Sequence, residues 1–254
     1  MGMKISQNLL LSRILTYMNG TLFNDSYFKI ANFIIFHYLN MENLSKQDVL
    51  NEGSFHEEEL DAFISAFGFD DYEEFKFKLY NDYQTRLNQI RVRLIDVHPE
   101  QFLEKMDMTI EKEELEKLVS EICERFYKAK RIIILGALYP LSLGVELQTD
   151  MITFGKPFIQ YHSYNPIILN ENDVILIVSA TGRALKNMKS KMSHLHIENA
   201  YSVLLTQNAS YRKMENENTR VLVLPGRFDS VDFNYQLMAI FDLIRLQYFQ
   251  QYYL

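Results

Sequence analysis

The chain has 254 residues, 48% of them hydrophobic, with 18 Phe and 16 Tyr, enough to fill one large core or two small ones. Its net charge of −7 offers no global attraction to nucleic acid or anionic lipid. No apolar run approaches the roughly 18 residues of a membrane span, no secretory pattern opens the chain, and the single cysteine, Cys123, cannot form an internal disulfide. We therefore expect a cytoplasmic protein with a buried, inert thiol and no membrane partner.

The first ninety residues read as helices. Apolar residues recur at spacings of three and four in NLLLSRILTYM (8–18) and YFKIANFIIFHYL (27–39). Asp25 or Ser26 caps the second, and Ser45 caps a short helix in SKQDVLNE. In HEEELDAFISAFGF (56–69), Leu60, Phe63, Ile64 and Phe67 share a face, and Gly68 suits a helix C-terminus. A fifth helix spans 72–90. Tight turns between short helices predict a bundle, with helix-turn-helix spacing over 44–69. Residues 91–108 form a linker broken at His98-Pro99, and an amphipathic helix covers 109–129.

From residue 131 the period changes. RIIIL (131–135), PFIQY (157–161), DVILIVS (173–179), AYSVLLT (200–206) and RVLVLP (220–225) read as strands. Helical stretches lie between them at 141–155 and about 183–195, and a last helix spans 231–249. Near-continuous apolar strands alternating with helices predict a parallel five-stranded sheet covered on both faces, an α/β three-layer, flavodoxin-like domain over 109–254.

In such a sheet, ligands bind at the carboxyl ends of the strands, near a topological switch point. Two loops qualify. GALYPLS (136–142) follows the first strand, and SATGRA (179–184) follows the third. Small hydroxyl residues and glycine opening a helix present amides and hydroxyls to an anion. Ser179 and Thr181 would bond phosphate oxygens, Gly182 would let the backbone approach, and Arg183 would either add charge or point to solvent. The competing reading is that any strand-to-helix turn needs capping residues of this kind.

The order of a helical domain with helix-turn-helix spacing, a helical linker and an α/β domain with S-x-[ST]-G after its third strand resembles the RpiR/MurR family of bacterial phosphosugar-responsive regulators. The likeness runs over nearly the whole chain. KIANFII (29–35), AFISAFGFDDYEEFK (62–76) and MAIFDLI (238–244) are similar to family phrases in the same order. The resemblance implies an N-terminal DNA-binding domain over 1–90 and a sugar isomerase (SIS) domain over 109–254 that senses a phosphosugar. It further implies a homodimer, no catalysis, no cofactor and no metal. Carried onto this chain, Ser179, Thr181, Gly182, Gly136 and Ser142 would hold the phosphosugar, and Ser54, His56, Glu57 and Arg86 would meet DNA.

The chain departs from that pattern in two places. The aligned recognition helix opens with Ser54-Phe55-His56-Glu57-Glu58-Glu59, and the usual basic positions are Ala62, Ser65 and Ala66. Residues 25–83 carry four lysines and no arginine against thirteen acids, a net of −9. Nonspecific DNA affinity comes from cations neutralising phosphates, so the acids repel DNA. They equally well serve the helix N-terminus. Arg86, Arg91 and Arg93, with Lys4 and Arg13, are the basic reserve. In the first α/β loop, Leu138 stands at the family's second glycine, and Pro140, with no N–H to offer, at its serine; Ser142 is the nearby substitute. In the second loop, Ala184 replaces a common threonine.

Two alternatives remain open on the residues alone. One is a sugar-phosphate sensor or protein-interaction module without DNA binding, its acidic segment serving as a partner surface. The other is a sugar-phosphate isomerase or hydrolase: Glu146 falls in the helix after the first loop, where sugar isomerases can use a carboxylate base, and no catalytic partner for it can be placed. His162, His194 and His196 read as surface or core-edge residues, and Asp229 and Asp232 as caps of the last helix.

Overall fold

Five buried apolar stripes organise the N-terminal half. The structure, a computed structural model, describes residues 9–21, 24–95, 97–98, 111–136, 138–161, 167–182 and 195–254, with backbone alone at Leu138 and Tyr139. Helices α1 (Leu10–Gly20), α2 (Ser26–Phe36), α3 (Lys46–Gly53), α4 (Glu57–Ala66) and α5 (Tyr72–Leu94) follow one another, with a 3-10 turn at Tyr38–Asn43. Each start has a chemical cause. Asp25 accepts from the Phe28 amide at 2.7 Å to cap α2. Ser45 and Asp48 form a reciprocal capping box on α3. Asp71 accepts from the Glu74 amide at 2.8 Å at the head of α5. α1 takes its cap from elsewhere in the unit: Asp82 of α5, 5% exposed, accepts from the Leu10 amide at 2.5 Å. At the other end of α4, Gly68 at φ 86° lets the Phe69 amide reach Ile64 and its own amide reach Ser65, the double bond that closes a helix through a left-handed residue.

The expected second helix ends three residues early, at Phe36, because His37 turns the chain into the 3-10 segment. The fifth runs four residues beyond 90, to Leu94, with Ile90 and Leu94 both buried on its inner face. Helix α5 thus runs into the stretch expected as the linker. Most of it, 99–108, lies outside the described residues.

The second half is an α/β layer structure. Helix α6 (Lys112–Lys128) leads into β1 (Arg131–Gly136), α7 (Leu138–Leu143), α8 (Val145–Thr153), β2 (Phe158–Gln160), β3 (Asp173–Val178), β4 (Tyr201–Thr206), β5 (Thr219–Val223) and α9 (Asp232–Tyr252). All pairings are parallel, in the order β2-β1-β3-β4-β5. Every residue of β3 and β4 is buried, which continuous apolar runs require when both faces are covered. Ile133, Leu135, Ile175, Ile177 and Leu204 share one core cluster with Tyr161, Leu169 and Tyr211. The alternate residues Ile132, Ile134, Leu176 and Val203 are buried as well. Each such side chain contributes about 1.5–3 kcal/mol on burial. Asp173, 1% exposed, is tolerated at the start of β3 because Arg131 clasps it through Nε at 2.8 Å and Nη2 at 3.0 Å.

The chain divides into two compact units, Met1–Val92 with Ile152–Gly155, and Arg93–Met151 with Lys156–Leu254. Among the described residues no helix is long and apolar enough to cross a membrane, and none groups three or more metal-ligating side chains.

Candidate functional site

The sheet order puts the switch point between β1 and β3, which run side by side with Gly136 paired to Val178. The residues that follow these two strands therefore sit next to one another at the carboxyl edge, where an open α/β sheet holds its ligand. Gly136 is fixed by that closeness. A Cβ there would come within 2.4 Å of the Val178 carbonyl oxygen, so glycine is required for strand packing whatever binds above it.

After β3 the chain makes a tight turn. The Gly182 amide donates to the Ser179 carbonyl at 3.0 Å, so it is committed to the turn. Gly182 has φ 77°, and a Cβ would fall 2.0 Å from the Tyr211 ring. Its left-handed backbone lies beneath the buried Tyr211. Ser179 is 8% exposed, and its amide donates to Leu205 at 3.0 Å. Thr181, half-buried, is the residue of the turn whose carbonyl accepts from Asn208 Nδ2 at 3.2 Å. The expected helix after the turn, with Arg183 and Ala184, lies outside the described residues.

What holds this turn was not visible in the sequence. Ala180 O accepts from the Gln207 amide at 2.9 Å and from Thr206 Oγ1 at 3.0 Å. Gln207 Nε2 reaches Arg227 O at 3.1 Å and Pro225 O at 3.3 Å, while its Oε1 accepts from the Asp229 amide at 3.0 Å. One glutamine thus ties together the loops that follow β3, β4 and β5. The only local signal was a long polar residue directly after an apolar strand.

The first loop is shorter than expected. α7 begins at Leu138, so 138–142 is helix, and Ser142 sits exposed on it, not in a loop beside Gly136. Pro140 is accommodated because it falls in the first turn, where its missing N–H costs no helical bond. The 141–155 helix is split by Gly144, whose Cβ would crowd Ile134 and Phe241 at 3.3 and 3.4 Å. Glu146 pairs with Arg93 at 2.9 Å and Arg245 at 3.1 Å, both in the second unit. Arg245, 6% exposed, also binds the fully buried Asp150 at 2.6 Å and Asp242 at 2.5 Å.

Of the other side chains singled out, His196 is exposed at φ 52° with its ring 3.2 Å from Glu198; His162 and His194 lie outside the described residues. Asp232 is in the first turn of α9 and accepts from the Arg227 amide at 2.9 Å, while Ser230 Oγ takes the Asp232 amide at 3.2 Å. Hydrogen bonds from the Arg227 amide and from Ser230 hold the Asp232 carboxyl below its usual range. Asp229 instead supplies a left-handed turn at φ 54°.

In the helical unit, α3 and α4 are joined by Ser54, Phe55 and His56. Ser54 is exposed at φ 54° and closes α3; His56 is the exposed N-cap of α4, its amide bonded to Glu59 at 3.4 Å. Glu57 is exposed but bound by Lys46 at 2.7 Å, and Lys46 also meets Asp61 at 2.8 Å. Asp61 and Glu57 together hold the Lys46 ammonium above its ordinary pKa. Arg86, read in the sequence as a contact to DNA, is 7% exposed and lies on the inner face of α5. Arg13 is tied as well, Nη2 donating to Phe67 O at 2.6 Å at the end of α4, where a cation suits the helix dipole. Lys4 lies outside the described residues.

No family model and no curated protein matches the chain. Among solved structures it is similar to the Vibrio vulnificus NanR protein complexed with ManNAc-6P, at 18% identity over 96% of this chain and 93% of that one, with a TM-score of 0.44. It is also similar to the C-terminal domain of glucosamine-fructose-6-phosphate aminotransferase from Francisella tularensis, at 19% identity over 75% of this chain and 49% of that one, with a TM-score of 0.38.

Proposed function

We propose that the chain is a phosphosugar-responsive transcriptional regulator of the RpiR/MurR type. Its α/β unit binds the effector and its helical unit binds DNA, as a homodimer in the cytoplasm. The observation that carries this reading is the switch point itself: Gly136 and Val178 end adjacent parallel strands, and the Ser179–Gly182 turn follows directly. Ser179 and Thr181 are the phosphate ligands in this reading, with Gly136 and Gly182 shaping the backbone around them. Ser142 would contribute from α7. The effector acts through different affinities for two arrangements of the protein. The engagement of Glu146 with two arginines favours a sensor over an isomerase.

A second reading has its own support. Three of the four lysines in the acidic 25–83 segment are paired with nearby carboxylates, Lys46 with Glu57 and Asp61, Lys76 with Glu73, and Lys78 with Asp82. With Arg86 buried, this favours a helical unit that binds a basic protein partner. Binding of the full chain to DNA from its gene neighbourhood at about 50 and about 200 mM salt separates the two. Affinity that falls steeply with salt and shifts with sugar phosphate supports the regulator. No binding at either salt leaves the sensor with a protein partner.

A further inference from the structure

A groove runs along the outer edge of β5, apart from the switch point. β5 ends the order β2-β1-β3-β4-β5, so among the described residues no strand pairs with its outer edge. Helix α6 lines one wall with Glu114, Lys117 and Glu121, at i, i+3 and i+7 on one helix face. Arg212, Glu215, Arg220 and Val221 line the other, and the cavity between them holds about 260 Å³. Arg220 is the second residue of β5, so the groove lies toward the amino ends of the parallel strands. Part of its charge is already committed. Glu121 accepts from the Tyr201 hydroxyl at 2.8 Å and from Arg220 Nε at 3.1 Å, and Arg220 Nη2 stands 2.9 Å from it. Burial and the Glu121 carboxylate push the Tyr201 phenol up, so it stays a donor. Glu215 Oε1 accepts from the Val221 amide at 3.1 Å and so caps the open strand edge. The rest is uncommitted. Lys117 has acids at i−3 and i+4, Glu114 and Glu121, and pairs with neither; among the described residues the side chains of Glu114, Lys117 and Arg212 have no ion pair or hydrogen bond.

We propose that this groove is a further ligand site, for a small molecule with two anionic groups and one ammonium group, the charge pattern of an acidic amino acid. Two cations and one carboxylate are left over in the groove, and a ligand of the opposite pattern neutralises all three. Lys117 and Arg212 take the two carboxylates, Arg212 with its planar fork, and Glu114 takes the ammonium. Glu114 and Lys117 stand one turn apart on α6, about 4.5 Å along the axis, so an amino and a carboxyl group on one ligand carbon reach both. The other charges do not compete for the ligand. The Tyr201–Glu121–Arg220 chain is closed on itself, and Glu215 is held by the strand amide. The volume falls just below the roughly 300–1,000 Å³ of drug-sized sites, which suits a single metabolite.

The inference goes beyond the proposed function; sugar-phosphate and DNA binding use other residues, and each can fail without touching it. The test is calorimetric titration of the full chain with L-glutamate at low salt, because charges this open are screened by ions. Glu114, Lys117 and Arg212 are exposed, so substitutions there leave the fold intact, checked by circular dichroism. One site per chain is expected, with the dissociation constant raised at least about tenfold by Lys117→Gln combined with Arg212→Gln. Lys213→Gln, an exposed neighbour outside the groove, should leave binding unchanged. Glutarate, which lacks the amino group, should bind more weakly than L-glutamate, and Glu114→Gln should weaken L-glutamate without weakening glutarate. No saturable binding of L-glutamate at millimolar concentration, binding that survives the double variant, or equal binding of glutarate and L-glutamate to the wild-type chain would each overturn the proposal.

Discussion

The Tyr211 hydroxyl donates to the Gly182 carbonyl at 3.0 Å, and the same ring occupies the space a Cβ at 182 would need. The turn after β3 is therefore set by a buried tyrosine from the segment after β4. Gly182→Ala should destabilise the α/β unit by at least about 1 kcal/mol from the left-handed backbone alone, and by more from the clash. Tyr211→Phe should cost about 1 kcal/mol for the lost hydrogen bond. Denaturant unfolding followed by circular dichroism measures both, and a neutral Gly182→Ala would contradict the geometry.

Arg245 compensates a carboxylate that water does not reach. Asp150 is 0% exposed and receives Arg245 Nε at 2.7 Å and Nη2 at 2.6 Å. Arg245→Met should cost about 3–5 kcal/mol, because breaking a buried pair leaves an uncompensated charge. Arg245→Met combined with Asp150→Leu should recover most of it. A double variant no more stable than the single one would show that the pair contributes more than charge balance.

Acid should weaken the helical unit through Asp48. The hydrogen bonds it accepts from the Ser45 hydroxyl and amide hold its carboxyl below the ordinary 3.8. A pKa lowered by folding means the charged form is favoured in the native state. Its contribution is therefore present above the unfolded pKa and lost as pH falls through the lower folded value. Asp48→Asn should flatten the stability-pH curve below about pH 4, measured by thermal melting from pH 6 to pH 2. Ser45→Ala should cost about 1 kcal/mol at neutral pH.

Cys123 is fully buried on α6, near Ile244 O at 3.6 Å, and burial pushes its thiol pKa up. A thiol reagent at neutral pH should leave it unmodified in the native state and titrate one thiol in denaturant. Rapid native labelling would contradict its placement.

The strands were legible because burial on both faces leaves a plain mark, runs such as DVILIV with no alternation to misread. The caps at Asp25 and Ser45 were legible because a capping residue acts on its own next few amides. The burial of Arg86 was not legible for the opposite reason. Asp82 and Arg86 lie at i and i+4 on the stripe that holds Leu79 and Ile90, and a charge on an apolar stripe has to be read by position, not by type. Pro140 suggested a loop, yet it stands where a helix tolerates it. Gln207 was out of reach: its partners, Ala180, Pro225, Arg227 and Asp229, are neighbours only after the parallel sheet has placed three loops at one edge.

Direct binding of sugar phosphates to the purified full chain tests the central claim most closely. Calorimetry with a panel of hexose and hexosamine 6-phosphates, each against its unphosphorylated sugar and inorganic phosphate, reads affinity and stoichiometry together. The account predicts one site per chain for at least one sugar phosphate, no measurable binding of the free sugar, and affinity reduced roughly tenfold by Ser179→Ala or Thr181→Val, about 1.4 kcal/mol. Absence of binding across the panel at millimolar concentration, or binding indifferent to both substitutions, would contradict it.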